Sequence, residues 1–314
     1  MMTNRMITLK IENWDEFYRL ASWFLKDEGQ WVFRGQTKAE WELKTTLERA
    51  SNKRKSKSKV KNQFRTLDDF LHSHTHSNEA EQIGTFKALT LWDHYMGERL
   101  LPYLAAMQHY GFPTRLLDFT HSLFIAAYFA FENMRSRGDR AIWAIRLDPL
   151  WEYVRKVYVS QDGPDDHRIE GHILEIADGL IDKERSRTSA RYGVLPLLTT
   201  STNPRLKAQN GLFLMPFSID GFVANLERSL PGGLIAEPHY TARGVPCESY
   251  MGLDNYLGFK HKKEVVVMKI VCAKAMKKLA NDVFQQMNLT TERIFPDKSF
   301  ADVKESVKCR FWYR

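Results

Sequence analysis

The 314-residue sequence predicts an α+β fold: a single domain in which a mixed central sheet is flanked by helices. Three observations predict it. Glu264–Val271 (EVVVMKIV) is a β-branched apolar run, the signature of a buried strand. Trp14–Leu25 sets Trp14, Phe17, Leu20, Ala21, Phe24 and Leu25 at helical spacing. No internal repeat and no linker-like change of composition separates the strand-like from the helix-like segments. The chain therefore reads as one domain over residues 1–314, with its core at about 31–307.

The elements follow in order. Thr8–Ile11 (TLKI) reads as a first strand, and the Trp14–Leu25 helix after it breaks at Glu28–Gln30. Trp31–Arg34 is a strand ending at Gly35, and Glu42–Arg49 is a turn followed by a short helix. Asn52–Lys61 (NKRKSKSKVK) has no apolar periodicity and reads as a basic surface loop within the domain, because helical patterning resumes at Phe64. Leu89–Tyr110 carries a stripe of Leu91, Tyr95, Leu100, Leu104 and Met107, and Gly111–Pro113 ends that helix. Ser122–Met134 is almost wholly apolar and should be central, with Ala126, Ala127 and Ala130 permitting close approach of a neighbour. Ala141–Leu147 is a strand, and Leu150–Arg187 is helical in part. Gly211 precedes a strand at Leu212–Met215. Ala273–Met287 is a basic amphipathic helix, and a turn at Ile294–Pro296 and a helix at Phe300–Val307 close the fold.

Composition narrows the function classes. Forty-six basic against 38 acidic residues leave a net charge of +8, which favours an anionic partner such as a nucleotide or a nucleic acid. Three cysteines, Cys247, Cys272 and Cys309, make neither a disulfide framework nor a thiolate zinc site. The first thirty residues contain acids and no long apolar run, so no secretion signal is expected. No stretch approaches ~18 consecutive apolar residues, so a cytoplasmic protein without a membrane span is expected. His72, His74 and His76 alternate as metal ligands in an extended segment could. No acidic or cysteine partner stands at ligand spacing, so a polar loop is the simpler reading and no metal is expected. The chain holds no P-loop, GxGxxG, HExxH or GxSxG motif, which weighs against kinase, dehydrogenase, metalloprotease and serine hydrolase chemistry.

Three polar islands stand out. Arg34 follows the apolar Trp31–Phe33 and can offer a planar fork to a phosphate or carboxylate, while Gly35 lets a ligand or another backbone come close. The alternative is an Arg34–Asp118 pair that serves only the core. In the second island, HYGFPTRLLDFT from His109 to Thr120, Asp118 or Thr120 is placed to cap the apolar helix that follows, and helix N-termini also attract anions. His109 and Tyr110, beside Gly111, could stack on a ring, and His109 could move a proton. The third island is Arg205, Gln209 and Gly211, where a glutamine could read a nucleobase or amide edge or merely support the turn.

These islands bring a family into view. WVFRGQ with Trp41, Leu43 and Leu47–Arg49, then QHYGFPTRLLDFT leading into AAYFA, then AIWAIRL, RLKAQNGLFLMP and RIFPD at Arg293–Asp297, resemble the FRG domain family, named for the triplet that is here Phe33, Arg34 and Gly35. Members are mostly bacterial or viral, often in mobile or defence-related settings, so the resemblance implies an intracellular effector linked to phage defence or toxin activity. The aromatic–Arg–Gly at a strand end is also similar to the first motif of ADP-ribosyltransferases, which implies an ADP-ribosyltransferase-like sheet and NAD as the nucleotide. On that likeness Arg34 would clamp a phosphate and Thr120 would support the nicotinamide ribose. Arg115 would be a second clamp or would orient Asp118. No late glutamate falls in a matching motif, and Gln209 and Glu237 are the stand-ins. The candidate catalytic set is Arg34, His109, Arg115, Asp118 and Thr120. The candidate cofactor-binding set is Arg34, Gly35, Gln36, Tyr110 and Gln209. A second reading is a non-catalytic nucleotide or nucleic-acid binding module, charged by Lys53–Lys61 and by Lys274, Lys277 and Lys278.

Overall fold

A computed structural model describes residues 4–49, 83–84, 86, 99–109, 112–133, 136–158, 167–183, 192–198, 204–219, 221–230, 232–236 and 250–296. The described residues build a mixed nine-stranded sheet with helices on its faces. Strands β1 (Asn4–Ile11), β2 (Trp31–Gln36), β3 (Leu117–Thr120), β4 (Arg140–Arg146), β5 (Val194–Leu198), β6 (Gly211–Pro216), β7 (Leu234–Ala236) and β9 (Val265–Cys272) lie in the order β5-β6-β3-β2-β4-β9-β1-β7, and β8 (Met251–Gly252) also pairs with β1. The β1 pairings with β7, β8 and β9 are parallel. All the others are antiparallel. The sheet therefore has a parallel end around β1 and an antiparallel end running from β9 to β5.

Alternation along the strands divides the core by face, as a period of two requires. Phe33, Ile142 and Ala144 pack with Ile7, Leu9 and Ile11 against α1 (Trp14–Lys26) and the central helix. Val32, Trp143, Ile145, Leu117 and Phe119 turn to the opposite face. A third cluster joins Phe213 and Met215 of β6 to Tyr103, Leu104 and Met107 of α2 (Leu100–His109) and to Ile173, Ala177 and Ile181 of α5 (His167–Lys183). The helix α4 (Asp148–Tyr158) lies between β4 and α5 in the chain. Asn13 caps α1 by accepting from Glu16 N at 2.9 Å, and Glu16 accepts in return from Glu12 N at 2.8 Å.

The central helix α3 (Leu123–Phe131) begins one residue later than expected and is capped by Ser122, whose Oγ accepts from Ile125 N at 3.3 Å. The expectation that Asp118 or Thr120 caps it is corrected: β3 runs through Thr120, so both are strand residues. Thr120 Oγ1 instead accepts from Ser122 N at 3.0 Å and holds the corner before the cap. Beyond α8 (Leu253–Gly258), the basic helix starts as a 3-10 turn at Lys274–Met276 and continues as α9 (Lys277–Gln286). The expected turn at Ile294–Pro296 is preceded by a short helix, α10 (Thr291–Ile294). Strands β5, β7 and β8 were not expected. The first carries Pro196, and the other two have three and two residues. The basic run at Asn52–Lys61, the histidines at 72, 74 and 76, Cys247, Cys309 and the Phe300–Val307 segment lie outside the described residues.

Candidate functional site

The site begins with a split in the sheet. β2 pairs with β4 along its full length, but it meets β3 at one register position only, Phe33 opposite Thr120. Beyond that position the two strands part, and a cavity of about 340 Å³ opens between their ends. Arg34 sits in the split. Its Nη1 donates to the Asp118 backbone carbonyl at 2.7 Å and lies 3.7 Å from Asp118 Oδ2. Its side chain is 18% exposed, and its buried Nε has no hydrogen-bond partner. Burial lowers the Arg34 pKa, Asp118 opposes that shift, and the nearby charge of Arg49 adds to it. A guanidinium is still charged at any working pH, so a partly neutralised cation faces the cavity.

Two further arginines line the same space. Arg49 ends a helical turn at 46–49 that is fixed by a capping box: Thr45 Oγ1 accepts from Glu48 N at 3.0 Å, and Glu48 Oε2 accepts from Thr45 N at 3.2 Å. Thr46 fastens that turn to the FPTR segment, donating to Thr114 O at 3.0 Å and accepting from Thr114 N at 2.9 Å. Arg205 comes from α6 (Pro204–Ala208), with its guanidinium 4.5 Å from the Phe295 ring centre. The remaining walls are amphipathic. Trp41 and Phe129 supply rings, Gln108 and Thr37 supply polar groups, and Asp118 and Glu132 supply carboxylates. Glu132 follows α3, and burial raises its pKa against the opposing pull of Arg205.

The structure brings together Arg34, Gly35, Gln36, Asp118, Thr120 and Gln209 around this cavity. Several of them are already engaged. Gln36 donates to Glu42 O at 3.2 Å and accepts from Trp143 Nε1 at 3.0 Å, so both ends of its amide are in use. Gln209 donates to Ile294 O at 3.2 Å, and its own carbonyl accepts from Thr120 Oγ1 at 2.7 Å. Gly35 is closed on by helix backbone. A Cβ there would collide with Ala126 O and lie 2.6 Å from Ala130 N, so the close approach that glycine permits is taken by α3. Arg115 does not line the cavity. It is fully buried and donates from Nη1 to Phe217 O at 3.1 Å. Tyr110 and the His109 side chain lie outside the described residues, as does Glu237. The sequence reading assigned no role to Glu132, and Trp41, Arg49, Gln108 and Phe129 entered only through the family pattern. Arg49 and Glu132 each stand at the end of a helical segment, where periodicity carries no signal.

The mixed sheet thus parts over an arginine, with two more arginines and aromatic rings lining the opening. Residues 29–139, the stretch that supplies β2, β3 and α3, match the FRG domain. No curated protein and no solved structure matches the chain. Among the described residues, no helix is long and apolar enough to cross a membrane.

Proposed function

We propose that the cavity binds a nucleotide, with NAD as the leading ligand, and that the chain acts as an ADP-ribosyltransferase-like effector of the defence or toxin type. The observation that carries this reading is Arg34: a largely buried guanidinium with an unpartnered Nε, lining a cavity shared with Arg49 and Arg205. An unmet buried donor is costly, and a phosphate oxygen meets it with a charge-assisted bond. Trp41 and Phe129 offer faces for a base or a nicotinamide. In the transfer, the bond from C1′ to nicotinamide breaks, an acceptor atom bonds to C1′, and the acceptor's proton leaves to solvent. Such a reaction needs preorganised charge around the ribose more than a strong nucleophile.

Ligand-induced thermal shift tests this on wild type and Arg34→Gln. The wild type is expected to be stabilised by NAD or ATP, and the folded variant to lose at least about tenfold in affinity. Equal stabilisation of both proteins would remove Arg34 from the site. A shift with single-stranded RNA alone, steeply weakened by salt, would favour the nucleic-acid module instead.

A further inference from the structure

A second cavity, of about 520 Å³, adjoins the first, and Glu132 lines both. One short segment, 291–295, meets the linings of both. Thr291 and Glu292 line the second cavity, while Ile294 O accepts from Gln209 and the Phe295 ring lies under Arg205 on the side of the first. The two spaces differ in charge. The first has three arginines. Among the described residues, the second has no lysine or arginine in its lining, but Glu132 and Glu292, the amides Asn281 and Gln285, and the rings of Tyr128 and Phe284. The Glu132 carboxylate makes no hydrogen bond or ion pair among the described residues, whereas Asp118, the other acid of the first cavity, faces Arg34. Tyr128 Oη lies 3.0 Å from Thr291 Oγ1, which sets one wall of the second cavity.

We propose that the two cavities form one two-compartment site, in which the arginine-lined compartment takes the anionic end of a ligand and the compartment beyond Glu132 takes a cationic group. This rests on the nucleotide reading for its first half. A carboxylate with no partner in contact, Arg205 acting on it only from a distance, and flanked by aromatic rings is an arrangement that can recognise a pyridinium, ammonium or guanidinium. The partial burial that raises the Glu132 pKa also strengthens its attraction for a cation brought into the same space. The cation is either the ligand's own ring or a separate acceptor side chain, and both present the same chemistry to Glu132.

Calorimetric titration separates the parts. AMP, on wild type and Arg34→Gln, tests the anionic compartment alone. A non-cleavable carbocyclic analogue of NAD⁺ and NADH differ in ring charge at nearly constant shape, and agmatine stands for a separate guanidinium. The wild type should bind the cationic dinucleotide about tenfold tighter than NADH, or bind agmatine, and Glu132→Gln should erase that preference or that binding. Indifference to ring charge together with no agmatine binding overturns the proposal. So does a preference that survives Glu132→Gln. If AMP binds and depends on Arg34 while the ring-charge test fails, the nucleotide reading stands without the second compartment. If agmatine binds through Glu132 but no nucleotide binds, the nucleotide reading falls and the joint site with it.

Discussion

Two polar regions of this molecule are buried to different ends. At the junction of β5, β6 and α7 (Phe222–Arg228), Asn225 and Ser229 are fully buried and fully paired. Asn225 Oδ1 accepts from Gly193 N at 3.1 Å and Ser218 N at 3.0 Å, and its Nδ2 donates to Ser218 O at 2.9 Å and Gly221 O at 2.8 Å. Ser229 Oγ accepts from Val194 N at 2.8 Å and donates to Asn225 O at 2.9 Å. Every polar atom in that knot has met its partner within the chain. Around Arg34 the count does not close, since a buried Nε stays unpaired and the neighbouring space is open. Buried polar groups that satisfy one another hold a fold, and a buried donor left unmet beside a cavity is available to a partner from outside the chain.

The comparison can be broken by substitution, and the effects should fall in a set order. Asn225→Ala removes four buried hydrogen bonds to the backbone at once, so urea denaturation should show a loss of about 3 kcal/mol or more. A loss below 1 kcal/mol would mean that water replaces the side chain and that the knot is not closed. Gly35→Ala forces a methyl into the α3 backbone and should cost about 1–3 kcal/mol by overpacking. It should also impair ligand binding, because α3 carries Phe129 and precedes Glu132. Unaltered stability there would show that α3 can slide away. Arg34→Gln gives up one carbonyl bond but also removes an unmet donor, so its melting should shift by less than about 1 kcal/mol while nucleotide binding is lost. A knot-sized loss would place Arg34 with the architecture instead. The smallest effect belongs to the surface. Glu264 is held below the ordinary carboxylate range by Arg5, 2.7 Å away, and by His261. A depressed folded pKa gives stability that is present above the ordinary carboxylate pKa and lost as pH falls through the folded value. Glu264→Gln should therefore flatten the acid limb of the stability profile slightly and leave ligand binding alone.

Much of the fold was legible in the residues. The β9 run is β-branched and long, and the α1 stripe has clear helical period, so each announced itself. β5 was hidden by Pro196, which is tolerated because among the described residues β5 is an edge strand paired with β6 alone. β7 and β8 are too short for alternation to register. Within the site, Arg34 could be found because a charge at the end of an apolar strand breaks a local pattern. Arg115 breaks the same kind of pattern, yet it is wholly buried, bonds the Phe217 carbonyl 102 residues away in sequence and lies off the cavity, and no local signal distinguishes the two arginines. Arg49 and Glu132 break nothing locally. Their position depends on how the helical turn at 46–49 and the end of α3 dock beside β2.

The single register pair between β2 and β3 has one more consequence. The stretch that matches the FRG domain, residues 29–139, contains those two strands and ends just before β4. One pair cannot hold a sheet together, and the strands that complete it, β4 and β6, come from later in the chain. Arg205 and Gln209, and the Phe295 ring beneath Arg205, also lie beyond residue 139. The matched stretch is thus not by itself a unit of folding. Excised from this chain, it would carry the lip of the pocket with neither its floor nor the means to stay folded.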